Sequence, residues 1–82
     1  MTTDEIIQDV NRIFRDVLDN SNIELSRTTT AQDVEDWDSL NNIQLVIGIE
    51  KFFKVKFTSR EIRTWKNVGD MCDAIHKALS PG

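Results

Sequence analysis

Cysteine and histidine occur once each, as Cys72 and His76, in a chain of 82 residues. A lone cysteine cannot close an internal disulfide, and one Cys with one His cannot complete a structural zinc site. That scarcity suits a reducing cytoplasm. Three glycines and one proline are too few for a turn-dense β-architecture, and a 39% hydrophobic share with 29% charged residues is that of a chain that folds. No apolar run reaches the length needed to span a bilayer, and the opening MTTDEIIQDV has neither the basic start nor the unbroken apolar stretch of a secretory signal. A protein not integral to a membrane is expected. No glycine loop suited to phosphate is present, no catalytic triad assembles without the single His76, and no ligands are spaced for a metal. At this length one domain, residues 1–82, builds a single core without a deep cleft, so a binding, carrier or interaction module is expected rather than an enzyme.

Charge is present in quantity but unevenly distributed. The net charge is -4, yet residues 1–40 hold 10 acidic and 3 basic groups whereas residues 41–82 hold 4 acidic and 7 basic ones. The acidic total disfavours nucleic acid as a partner, because such binding depends on neutralising phosphates. The local excess of Lys and Arg in the second half suits an acidic partner surface. A small helical DNA-binding domain, touching phosphates from residues 51–66, is disfavoured by the same acidity and by the sparse polar face of any recognition helix.

Hydrophobic periodicity predicts an all-α chain of four helices. Over residues 4–19, Ile6, Ile7, Val10, Ile13, Phe14, Val17 and Leu18 recur at three- and four-residue spacings, the mark of an amphipathic helix. Thr2 and Glu5 fit a capping box at its start. Residues 20–37, NSNIELSRTTTAQDVEDW, carry no sustained period; a connection this long requires a function or anchors, and Ile23, Leu25 and Val34 are the anchors at hand. TAQDV is placed to make a short helical turn. A second helix runs from about Ser39 to Phe53 and is apolar over more than half its circumference, leaving the stripe Asn41, Gln44, Gly48 and Lys51. It is expected to lie at the centre of the fold, covered on most sides. Thr58 and Glu61, at capping-box spacing, open a short third helix carrying Ile62, with Trp65 on the same side. A last helix follows Asn67, bears Val68, Met71, Cys72, Ile75 and Leu79 on one face, and stops before Ser80, Pro81 and Gly82. Cys72 thus reads as core and His76 as its solvated neighbour.

Asp38 and Ser39 stand where the loop meets the second helix, and an Asp or Ser there is most simply an N-cap. Their setting says more. WDSLNNIQLVIGIEKFFKVKF, preceded by an amphipathic helix and a long loop and followed by a short helix and a last one, resembles the acyl carrier protein family over nearly the whole chain. The resemblance implies a four-helix bundle with a long first loop and a short third helix. It implies that Ser39 receives 4'-phosphopantetheine from coenzyme A through a phosphopantetheinyl transferase. Asp38 then helps the transferase and its magnesium ion orient the serine, and Leu40 anchors the turn in the core. The arm's thiol carries acyl or aminoacyl groups as thioesters, loaded by a ligase and consumed by a synthase or acyltransferase, with the carrier a monomer in the cytoplasm. The resemblance also implies that a core lined by Ile43, Val46, Ile47, Ile62 and Trp65 opens to shelter an acyl chain, the alternative being an ordinary closed core.

Two features depart from the family's fatty-acid carriers. Their second helix commonly presents acids to basic partner surfaces, whereas here the stripe is Asn41, Gln44, Gly48 and Lys51. Residues 51–66 add Lys54, Lys56, Arg60, Arg63 and Lys66 against one acid, Glu61. Trp37 stands where small residues are frequent, and WDSL occurs in stand-alone carriers of dedicated pathways. Trp37 either covers the loop against the bundle or borders the arm or a transferase contact. A hydrophobic staple across the cap would pair it with Asn42, which is polar. These departures point to a specialised lipid or secondary pathway and to partner contacts through Trp37, Asn41, Gln44, Ile47, Gly48 and Lys51. The competing reading is an interaction module of the same fold that binds an acidic partner and carries nothing.

Overall fold

A computed structural model describes residues 2–79. It contains four helices: α1 (Thr3–Val17), α2 (Ser39–Phe53), α3 (Ser59–Arg63) and α4 (Val68–Leu79). No strand occurs among the described residues. The expected all-α bundle with a long first loop and short third helix is therefore what forms. The expected stop of the last helix at Ser80–Gly82 lies outside the described residues.

The starts of the helices follow from local chemistry. Thr2 Oγ1 accepts from the Glu5 backbone N–H at 3.2 Å while Glu5 Oε1 accepts from that of Thr2 at 3.0 Å, so each side chain satisfies the other residue's otherwise unpaired backbone donor. Thr58 and Glu61 repeat the arrangement at α3. Asn67 Oδ1 accepts from the Asp70 N–H at 2.9 Å and opens α4. At the other end of α2, Lys54 adopts the left-handed conformation (φ 58°) and donates its N–H to Glu50 O, closing the helix.

α1 packs against both α2 and α4. Ile6, Val10 and Phe14 from α1, Leu45 and Ile49 from α2, and Val68, Cys72 and Ile75 from α4 are wholly buried. Burial of sides this size stabilises by about 1.5–3 kcal/mol each before entropy is set against it. Gly48 permits the approach of α1 to α2: a Cβ there would stand 3.2 Å from Ile13 Cγ2.

The long first loop is ordered because its polar groups find partners on two helices. Asn11 Oδ1 accepts from Leu25 N–H at 2.7 Å, and Arg15 Nε donates to Ile23 O at 2.7 Å, which ties the loop to α1. Val68 N–H donates to Thr29 O and Gly69 N–H to Arg27 O, while Arg27 pairs with Asp73 at 3.0 Å, which ties it to α4. Ile23 and Leu25 are buried and Val34 half-buried, as their anchoring role requires. TAQDV makes the single turn expected of it: the Asp33 N–H donates to Thr30 O at 3.0 Å, and Asp33 Oδ2 accepts from the Thr30 N–H at 3.0 Å.

α2 does not lie covered at the centre. Leu40 (72% exposed), Ile43 (57%), Ile47 (39%) and Phe52 (48%) face solvent. The expectation that Leu40 anchors the turn in the core is thereby overturned, as is the placing of Ile43 and Ile47 in a core lining with Val46, Ile62 and Trp65. Only Val46 of that set is buried; Ile62 and Trp65 are half-buried. Apolarity all round the helix shows nothing of which sides have neighbours, and the five residues of α3 leave one side of α2 uncovered.

Candidate functional site at the start of the second helix

Chain geometry just before α2 is set by Asp36, whose φ of 70° turns the backbone sharply. Its carbonyl accepts from the Asp38 N–H at 3.1 Å and from Asn41 Nδ2 at 2.7 Å. Asn41 therefore braces the turn from inside the helix rather than facing a partner. Asp38, in extended conformation, is the N-cap: its Oδ1 accepts from Asn41 N–H at 2.8 Å, and its carbonyl accepts the first helical bond, from Asn42 N–H, at 2.8 Å.

The division of labour between the two residues follows. Asp38 supplies the cap, so the hydroxyl of Ser39, the first helical residue, is not needed for one and is exposed. Of the four N–H groups without an intrahelical partner, that of Asp38 donates to Asp36 O and that of Asn41 to Asp38 Oδ1. The geometry of a helix start leaves those of Ser39 and Leu40 pointing outward, at the positive end of the α2 dipole. An anionic group on Ser39 Oγ meets two donors and a favourable field. The site thus fits a phosphodiester at Ser39.

Trp37 crosses the cap. Its Nε1–H donates to Asn42 Oδ1 at 2.9 Å, and its ring meets Phe14 edge-on, centroids 4.8 Å apart and planes at 87°. The residue before the cap and the fourth of the helix are thus joined by a hydrogen bond where an apolar staple is the commoner device. Of the two sequence readings of Trp37, covering the loop against the bundle is the one its contact with Phe14 fits. The ring also lines a groove of about 320 Å³, as do Asp38 and Ser39. Ile62, Trp65, Lys66, Asn67 and Met71 complete much of its lining.

The remaining residues picked from sequence are distributed along α2. Gln44, Ile47 and Lys51 are exposed, with Lys51 about 18 Å along the axis from Ser39 at 1.5 Å per residue. Gly48 faces Ile13 and Val17 of α1 and is withdrawn as a partner contact, as is Asn41, which serves the Asp36 turn. Sequence reasoning missed Asn42, whose signal was its position opposite Trp37, and the exposure of Leu40 and Ile43. Cys72 is buried, and desolvation pushes its thiol up to about 11. Such a thiol is inert at neutral pH. His76 is exposed, as expected. Among the described residues no helix is long and apolar enough to cross a membrane.

Among solved structures, the chain is similar to the holo acyl carrier protein from Geobacter metallireducens. The two are 39% identical and superpose with a TM-score of 0.85 over 90% of this chain and 85% of the other. No protein-family model matches the chain, and no curated protein matches it significantly.

Proposed function

Since the chain belongs to the acyl carrier protein family, and so acts as a carrier rather than an enzyme, we propose that it bears 4'-phosphopantetheine on Ser39 and conveys acyl or aminoacyl thioesters between the enzymes of a specialised lipid or secondary pathway. The observation that carries this reading is the separation of tasks at the head of α2. Asp38 caps the helix through Asn41, which leaves the Ser39 hydroxyl exposed beside two outward-facing N–H groups. When attached, the arm supplies a thiol that holds cargo as a reactive thioester. The chain supplies position. Ser39 holds the phosphodiester, the helix start offsets its charge, and the Trp37–Asn42 bond keeps the cap region in one geometry.

The groove beside Ser39 suits the arm or the near part of its cargo, with Trp37, Ile62 and Trp65 as its apolar surface. Transferase, loading ligase and synthase or acyltransferase meet the protein on the exposed side of α2, where Leu40, Gln44, Ile47 and Lys51 stand. We place the protein in the cytoplasm as a monomer, with residues 1–82 forming its carrier domain. The specialised character rests on the chemistry of that face. Gln44 and Lys51 are its polar groups and neither is a carboxylate, so a partner built for an acidic carrier lacks its counter-charges.

The test is intact mass after incubation with coenzyme A and a broad-range phosphopantetheinyl transferase. One arm's mass is expected on the native chain and none on Ser39→Ala. No gain, or a gain that survives the substitution, refutes the reading.

A further inference from the structure

We propose that the enzymes served by this carrier grip α2 with an apolar groove that ends in carboxylates, the groove seating Leu40, Ile43 and Ile47 and the acidic end meeting Lys51, Lys54 and Lys56. The inference rests on the carrier reading, because a partner that uses the arm must cover the surface next to Ser39. Leu40, Ile43 and Ile47 recur at spacings of three and four, so they form one row about 10 Å long that begins one residue from Ser39. All three face solvent. A continuous row of exposed aliphatic side chains is a contact surface awaiting a partner.

Charge gives that partner its sign. The first turn of α2 holds no acid beyond its cap, Asp38, whose Oδ1 is bound to the Asn41 N–H. The helix's one acid, Glu50, is half-buried and engaged elsewhere, its Oε2 accepting from the Phe57 N–H at 2.9 Å. At the far end of the row Ile47 lines a surface depression together with Glu50, Lys51, Lys54, Val55 and Lys56; the three lysines are exposed, while the Glu50 carboxylate is half-buried and taken up by the Phe57 N–H. The C-terminal end of the dipole accounts for Lys51 and Lys54. It does not account for Lys56, which lies beyond the helix. Carboxylates facing these lysines steer encounter and set register, while the apolar row supplies contact area.

An anionic membrane would also attract the lysines, but the position of the row favours a protein. A row that starts beside Ser39 and lay against lipid would hold the attachment site at the lipid surface, where an arm cannot pass between enzymes.

The test uses the full-length holo protein, labelled with 15N, and three probes. These are a helical peptide with a leucine face flanked by glutamates, its counterpart flanked by lysines, and vesicles of phosphatidylglycerol. The leucine–glutamate peptide is expected to shift the amide resonances of residues 40–56 and to bind at least tenfold more tightly than the leucine–lysine peptide at low salt. The triple change Lys51→Glu, Lys54→Glu, Lys56→Glu is expected to invert that order, and Ile47→Ser to weaken both peptides. Equal binding of the two peptides, no binding, shifts mapping elsewhere, or binding to vesicles alone overturns the inference. Intact mass of the same sample keeps the two readings apart. A chain that accepts the arm yet shows no preference overturns only the docking chemistry, whereas a chain that refuses the arm overturns the carrier reading.

Discussion

The indole of Trp37 reaches across the head of α2 to Asn42, Nε1 to Oδ1 at 2.9 Å, while the edge-on contact with Phe14 of α1 fixes the same ring to the bundle. One side chain thus ties the loop, the cap and the core together next to Ser39. Trp37→Phe keeps the ring contact and loses the hydrogen bond, so it is expected to cost about 1 kcal/mol. Trp37→Ala loses both and is expected to cost about 3 kcal/mol. Urea unfolding of the two variants measures the difference.

Asp38 and Ser39 are adjacent but carry different loads. Asp38→Ala removes the cap on Asn41 N–H and is expected to cost about 1 kcal/mol. Ser39→Ala removes an exposed hydroxyl that caps nothing and is expected to stay within about 0.5 kcal/mol of the native chain. Thermal unfolding of both unmodified variants checks this, and equal losses would mean that the serine shares the cap.

The two helical glycines face different neighbours. A Cβ at Gly69 would lie 2.7 Å from the backbone carbonyl of Arg27, to which the Gly69 N–H donates. Gly69→Ala is therefore expected to push the loop off α4 at a cost of about 2 kcal/mol. At Gly48 the neighbour is the Ile13 side chain at 3.2 Å, which yields more readily. The gain in helix propensity offsets part of the crowding, so Gly48→Ala is expected to change stability by no more than about 1 kcal/mol. Denaturant midpoints of the pair give the order.

Burial of Cys72 makes stability depend on alkaline pH. Its thiol ionises near 11 in the folded chain, against an ordinary value of 9.0. From about pH 9 the unfolded chain releases this proton while the folded chain retains it. Stability present below pH 9 is thus lost progressively as pH rises toward 11. Cys72→Ala removes that thiol's share of the slope. Unfolding free energies of the two proteins from pH 7 to 11 test the sign: the native chain should fall more steeply than the variant above pH 9.

These expectations separate what sequence pattern shows from what it does not. The capping boxes of Thr2 with Glu5 and Thr58 with Glu61 were legible because both partners lie within three residues. The span of α2 and the Cys72 core position were legible from periodicity. The surroundings of α2 were not. Leu40, Ile43 and Ile47 are as apolar as Leu45 and Ile49, and their exposure depends on where α1 and α3 lie, a matter of tertiary arrangement. Gly48 sat in a polar stripe by sequence, yet its small size serves the close approach of α1. The attachment site was legible as a motif, while the Trp37–Asn42 bond that steadies it was hidden by the expectation that a staple is apolar.

The central claim is that Ser39, freed from capping by Asp38, is the residue that bears the arm. Its most direct test is fragmentation mass spectrometry of peptides from protein incubated with coenzyme A and a phosphopantetheinyl transferase. The account predicts a single phosphopantetheinyl group localised to Ser39 in the peptide containing WDSL. A group found on any other residue, or an unmodified WDSL peptide after complete reaction of a control carrier, would contradict it.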